Sequence, residues 1–162
     1  MLNILFVCTA NTCRSPMAEF IAKNIFRHKN LAAKVSSAGT ITIDGERVSG
    51  NAVNALTDLK LLDTELKNEM LKHRSKAINF DMMLENDFIF TMTYNHMVFL
   101  LNNFPNEKEK IFVLGDFAYE KRHDVIDPFG GDLEIYKKCA LEIYDLIYLS
   151  LKKIPKKLLG GE

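Results

Sequence analysis

Leu2-Asn3-Ile4-Leu5-Phe6-Val7-Cys8-Thr9-Ala10-Asn11-Thr12-Cys13-Arg14-Ser15-Pro16-Met17 decides the fold. Leu2 to Val7 is apolar throughout except for Asn3, the pattern of a strand covered on both faces. Polar and small residues follow from Cys8 to Arg14. Ser15 then suits a helix N-cap and Pro16 a first helical turn. Beyond them Met17, Phe20, Ile21, Ile25 and His28 recur at helical spacing. The segment therefore reads as buried strand, loop, helix.

Working outward, short β-rich runs alternate with longer stretches of helical period. Ala33 to Ala38 reads as a second strand, ended by a turn at Gly39. A helix starting near Ser49 would bury Val53, Leu56 and Leu59. Phe88 to Met92 reads as the third strand, and a helix capped near Thr93 would bury Met97, Leu100 and Leu101. Ile111 to Leu114 reads as the fourth. The last helix, about Asp132 to Lys153, places Ile135, Cys139, Ile143, Leu146 and Ile147 on one face. Such alternation argues for a parallel sheet with helices on both sides. Ligands of such sheets bind at the carboxyl ends of the strands, and the loop after Val7 lies there.

The chain's 162 residues fit a single domain, residues 1–162, and 48% of them are apolar, enough for a sizeable core. Lys plus Arg and Asp plus Glu both total 21, so no bulk charge drives the chain toward nucleic acid or membrane. Lys152, Lys153, Lys156 and Lys157 read as a solvated helix end. No window is long and apolar enough to span a bilayer, and the first strand lacks the basic leader of a secretion signal. With three cysteines and no CxxC, reactive thiols in a reducing compartment are expected, and the location expected is cytoplasmic. No His/Cys pair has zinc spacing, and neither metal nor cofactor is expected.

Cys8 and Arg14, with five residues between them on a strand-to-helix loop, suit phosphoryl transfer. The backbone amides of such a loop and the helix N-terminus behind it form a nest for phosphate oxygens. Arg14 can add two parallel hydrogen bonds and stabilise charge in the transition state. A cysteine at this position can attack phosphorus as a thiolate. The leaving group then needs a proton donor, and Asp127 supplies one in the turn-rich Asp127-Pro128-Phe129-Gly130-Gly131. By itself Cys-x5-Arg is a weak pattern, and Asp-Pro often only starts a turn.

Val7-Cys8-Thr9-Ala10-Asn11-Thr12-Cys13-Arg14-Ser15-Pro16 at the N-terminus, with Asp127-Pro128 late in the chain, resembles the low-molecular-weight protein tyrosine phosphatase family. Ser37-Ala38-Gly39-Thr40 and His73-Arg74-Ser75 fall where that family has similar segments. The resemblance implies an α/β fold, a flavodoxin-like three-layer sandwich around a four-stranded parallel sheet. It also implies a cysteinyl-phosphate intermediate, phosphorylated protein substrates and inorganic phosphate as product, with no cofactor. Cys8 would be nucleophile, Arg14 the phosphate binder, and Asp127 acid and then base. Thr9, Ala10, Asn11, Thr12, Cys13, Ser15 and Phe129 would complete the substrate site. Ser15 would hydrogen-bond Cys8, and Asn11 would hold the loop through Ser37 or His73. The family usually has Gly where this chain has Ala10, so ordinary φ is expected at Ala10 and the left-handed conformation at Asn11.

Thr12 bears on the substrate. Tyrosine-directed members resemble one another in having Ile or Leu there, whereas Asn-Thr-Cys-Arg-Ser and Asp-Pro-Phe-Gly-Gly resemble the bacterial protein arginine phosphatase branch. Phosphoarginine is thus the favoured substrate residue and phosphotyrosine the alternative, with an inactive phospho-binding module more distant. Only Cys139 lies where thioredoxin-coupled arsenate reductases of this fold need a pair, and it reads as core. Cys13 reads either as a resolving thiol for an oxidised Cys8 or as packing. His28, His96 and His123 read as surface or capping residues, and His73 as a core hydrogen-bonding group.

Overall fold

The computed structural model describes residues 1–159; the side chain of Lys156 lies outside the described residues. A four-stranded sheet has the order β2-β1-β3-β4, with β1 spanning Leu2–Cys8, β2 Ala33–Gly39, β3 Phe88–Thr91 and β4 Ile111–Val113. Every pairing is parallel. The helices are α1 Arg14–His28, α2 Gly50–Asp58, α3 Thr64–Lys72 and α4 Phe80–Glu85. They continue as α5 Tyr94–Asn103, α6 Leu114–Tyr119 and α7 Leu133–Lys153, with short 3₁₀ turns at Pro105–Lys110 and Lys156–Leu159.

Alternation along β1 shows why the run is apolar on both faces. Leu2, Ile4, Phe6 and Cys8 point into the larger core, shared with α1, α2 and α7. Leu5 and Val7 point into a second core with Met83 and Leu100, from α4 and α5. Phe6, Phe90 and Ile89 are fully buried, each contributing roughly 1.5–3 kcal/mol by burial. Because β1 pairs with β2 on one side and β3 on the other, the chain reverses winding between β1 and β3. The two connections leaving those strands part there and open a crevice at their carboxyl ends.

The elements expected from the sequence are present, with corrections. Ser15 is no N-cap: Cys13 holds that position, and Ser15 lies inside the first turn with its hydroxyl turned to Cys8. The third strand stops at Thr91. Leu114 begins α6 instead of ending the fourth strand. Gly39 ends β2, where a Cβ would come within 2.5 Å of the Thr9 carbonyl oxygen. Ile135 is 46% exposed, and its neighbour Tyr136 is the residue that turns inward. Thr93 and Asp132 cap their helices, accepting from the backbone N–H groups of His96 and Ile135. The short helices α3, α4 and α6 carry too few turns for a periodic signal to emerge. No helix among the described residues is long and apolar enough to cross a membrane.

Candidate active site

The loop from Cys8 to Cys13 is held from outside by its own carbonyl oxygens. Those of Cys8 and Thr9 accept from the backbone N–H groups of Thr40 and Ile41, at 2.9 and 3.1 Å. The Ala10 carbonyl accepts from Thr42 Oγ1 at 2.6 Å, and the Asn11 carbonyl from His73 Nε2 at 3.1 Å. Those of Thr12 and Cys13 accept from the N–H groups of Ser49 and Met17, at 2.8 and 3.1 Å. With the carbonyls turned outward, the amides line the concave side. Among the described residues no amide of Thr9 to Cys13 donates to a protein oxygen. A concave set of unpaired N–H groups ahead of a helix N-terminus is an anion cradle.

The loop needs one left-handed residue, and Asn11 takes it with φ 57°. Ala10 has no positive φ, so the missing glycine costs the loop nothing there. The fully buried Asn11 side chain locks that conformation. Its Nδ2 donates to Ser15 Oγ and Ser37 Oγ, both at 2.9 Å, and its Oδ1 accepts from the Lys76 N–H at 3.1 Å. Ser37 Oγ donates onward to Glu19 Oε2 at 2.6 Å. Ser15 Oγ lies 2.9 Å from Cys8 Sγ. Both expected partners of Asn11, Ser37 and His73, are thus engaged. Burial lowers the pKa of His73, so a neutral ring donates from Nε2 while Nδ1 sits 3.9 Å from Glu19.

Cys8, Thr9, Ala10, Thr12, Cys13, Arg14, Asp127 and Phe129 line one cavity of about 230 Å³. Arg14 is buried, its Nη1 donating to the Val125 carbonyl at 3.0 Å and its Nη2 lying 3.2 Å from Asp127 Oδ2. The other carboxylate oxygen of Asp127 accepts from the Phe129 N–H at 3.2 Å, bending the segment into a turn. The aspartate side chain is half exposed, and Phe129 stands open at the rim. Of the residues expected to be catalytic or to complete the substrate site, Asn11 and Ser15 lie outside this lining, their side chains packed beneath the loop. Cys8, Cys13 and Cys139 are free thiols. Cys13 Sγ lies 3.2 Å from Tyr136 Oη, and burial with that contact raises the tyrosine pKa to about 12. Burial likewise raises Cys139 to about 12, as befits a core thiol.

His96 corrects the sequence reading. It is a buried group beside the cavity, bridging Thr9 and Thr93. Its signal lay in position: a histidine in the first turn after β3 stands at the carboxyl edge of the sheet. Glu19 and Tyr136 gave no local signal, because helical residues of either type are commonly surface or core.

The family model described as low molecular weight phosphotyrosine protein phosphatase matches residues 3–158. The chain is 34% identical over 155 residues to the protein-arginine-phosphatase of Bacillus subtilis, covering 96% of this chain and 98% of that one. It is 33% identical over 153 residues to the low molecular weight protein-tyrosine-phosphatase PtpB of Staphylococcus aureus, covering 94% and 99%. A solved structure of the YwlE arginine phosphatase, a cysteine-to-serine mutant with phosphorylated active site serine, superposes with a TM-score of 0.85. It is 31% identical, with 97% of this chain and 99% of that chain covered. The chain belongs to the low molecular weight phosphotyrosine protein phosphatase family.

Proposed function

We propose that this protein is a phosphoprotein phosphatase that works through a cysteinyl-phosphate intermediate and favours phosphoarginine. The observation that carries the proposal is the ring of outward-turned carbonyls. It leaves a cradle of amides around Cys8 with Arg14 at its side. Phosphoryl oxygens enter the cradle, and Arg14 adds donors to the same oxygens as negative charge spreads over them. The Cys8 thiolate attacks phosphorus, the P–N bond of phosphoarginine breaks, and protonated Asp127 gives its proton to the departing guanidino nitrogen. Asp127 then takes a proton from water. The resulting hydroxide attacks phosphorus, the P–S bond breaks, and inorganic phosphate leaves with Cys8 again a thiolate.

Three features support arginine. Thr12 puts a hydroxyl on the cavity wall where an apolar residue would stack on a phenyl ring. The half-exposed Asp127 can pair with a guanidinium at the mouth. The Bacillus subtilis relative is a protein-arginine-phosphatase. Phosphotyrosine is the second reading, favoured by Phe129, which is 79% exposed at the rim and free to stack on an aromatic substrate. Residues 1–162 act as one domain in this proposal. The partner is a phosphorylated protein in the cytoplasm, where thiols stay reduced, with neither nucleic acid nor membrane engaged.

The test is competition between phosphoarginine and phosphotyrosine peptides on one purified sample, with Cys8→Ser in parallel. A higher kcat/KM for phosphoarginine and loss of all turnover in Cys8→Ser are expected. A preference for phosphotyrosine installs the second reading, and steady-state hydrolysis by Cys8→Ser removes Cys8 as nucleophile.

A further inference from the structure

We propose that His96 is a positioning residue that holds the Thr9 hydroxyl as a hydrogen-bond donor to the phosphoryl group. The proposal rests on the phosphatase assignment above. Helix α5 begins at the carboxyl end of β3, directly across the crevice from the loop that leaves β1. Its first turn carries His96, whose ring bridges two hydroxyls: Nδ1 lies 3.0 Å from Thr93 Oγ1, and Nε2 lies 2.8 Å from Thr9 Oγ1. Thr9 follows Cys8 in the chain and is one of the residues that line the cavity with it.

The bridge has a direction. Thr93 Oγ1 accepts from the His96 backbone N–H at 3.3 Å and lies 3.0 Å from the ring Nδ1, and in the proposed arrangement its own proton goes to that nitrogen. The ring is neutral at neutral pH: burial, then the nearby Arg14, lower its pKa to about 4, against the weaker pull of Asp127 and Asp124. A neutral ring carries one N–H. With Nδ1 accepting from Thr93, that N–H is on Nε2 and donates to Thr9. Thr9 Oγ1 is then an acceptor toward the histidine and keeps its own proton for the open cavity. A bare threonine at this place could turn that proton toward a protein acceptor. His96 prevents it by presenting only a donor.

The direct measurement is the ¹⁵N chemical shift pattern of the His96 ring in the wild-type protein. Protonation at Nε2 alone is expected at pH 7, and a ring protonated at Nδ1, or at both nitrogens, overturns the proposal. The kinetic measurement compares Thr9→Val, Thr9→Ser, His96→Ala and the Thr9→Val/His96→Ala double variant. Thr9→Val is expected to lose about tenfold to a hundredfold in kcat/KM, the size of a hydrogen bond to a charged group. Thr9→Ser keeps the hydroxyl and most of the activity. His96→Ala loses less than Thr9→Val, and adds no loss in the double variant, because its effect passes through the hydroxyl. Wild-type kcat/KM in Thr9→Val, or losses that multiply in the double variant, make His96 a packing residue only. A wild type without phosphatase activity brings down the assignment itself, whereas an active wild type with unaffected Thr9→Val or with multiplying losses brings down only the role of His96.

Discussion

The two walls of the cavity are built differently. The Cys8 loop has all six carbonyls from Cys8 to Cys13 tied outward, and beneath it Asn11 and Ser15 are fully buried. The facing segment that carries Asp127 is tied at its ends, where Val125 bonds Met92 and Arg14 and the Gly131 carbonyl accepts from Asn51 at 3.4 Å. Between them are two turn bonds, from the Phe129 N–H to Asp127 and from the Gly131 N–H to the Pro128 carbonyl, a long contact from Cys139 Sγ to the Ile126 carbonyl, and the ion pair to Arg14. Ile126 and Phe129 on it are both 79% exposed. Binding an anion with backbone amides requires a cradle whose shape is set before the ligand arrives. As the proposed proton donor, Asp127 must instead reach leaving groups of varied shape and then receive water from the same side. Many bonds suit the first task and few suit the second.

Asp127→Asn breaks the less tied wall and leaves the other whole. It is expected to lower kcat by about 10²–10⁴-fold on poor leaving groups, with much smaller losses on activated aryl phosphates that need no proton. Binding of inorganic phosphate should persist. Paired leaving-group series on wild type and variant check this, and equal losses across the series would make Asp127 a turn residue only.

Gly39→Ala strains the well-tied wall. The new Cβ would meet the Thr9 carbonyl oxygen at 2.5 Å, so the loop or β2 must shift. An overpacking cost of about 1–3 kcal/mol follows. Tm should fall by about 3–10 °C, and phosphate should bind more weakly. Thermal denaturation with and without phosphate measures both, and unchanged phosphate affinity would show that the cradle tolerates the shift.

His96, which braces the cradle wall, makes stability depend on pH. Its folded pKa of about 4 lies below the ordinary 6.5, so the unfolded chain takes up more protons in between. The stability that this histidine contributes is therefore complete above pH 6.5 and lost as pH falls toward 4, amounting to about 2 kcal/mol between pH 7 and 5. His73 shifts in the same direction through burial. In urea titrations His96→Gln should flatten this acid-side slope relative to wild type. An identical slope would mean that His96 titrates alike in the folded and unfolded chain, so that burial does not lower its pKa.

Much of this was legible along the chain because the information was local. An apolar run with one break, Ser-Pro after a polar loop, and helical spacing through Met17, Phe20 and Ile21 fix strand, loop and helix with no reference to distant residues. Cys8, Arg14 and the loop between them are contiguous, so their meeting follows from chain geometry. Asp127 was singled out because a cysteine nucleophile calls for an acid and a turn-rich stretch offered one, and the fold sets it 3.2 Å from Arg14.

The remainder required the fold. Ser15 reads locally as a cap, but the hydroxyl is drawn to Cys8 and Asn11, so the helix cap falls to Cys13. Ile135 and Tyr136 differ by one position, and helical periodicity cannot decide which faces inward when the packing partner is Cys13, 123 residues away. His96 looks like a solvated helix residue until the reversal of winding between β1 and β3 lays it against Thr9. The sequence by itself determined the elements and the contiguous anion loop, since both arise from interactions between near neighbours. Tertiary structure alone decided what braces that loop, because bonds such as Thr42 to Ala10 and His73 to Asn11 join residues that only the parallel sheet brings together.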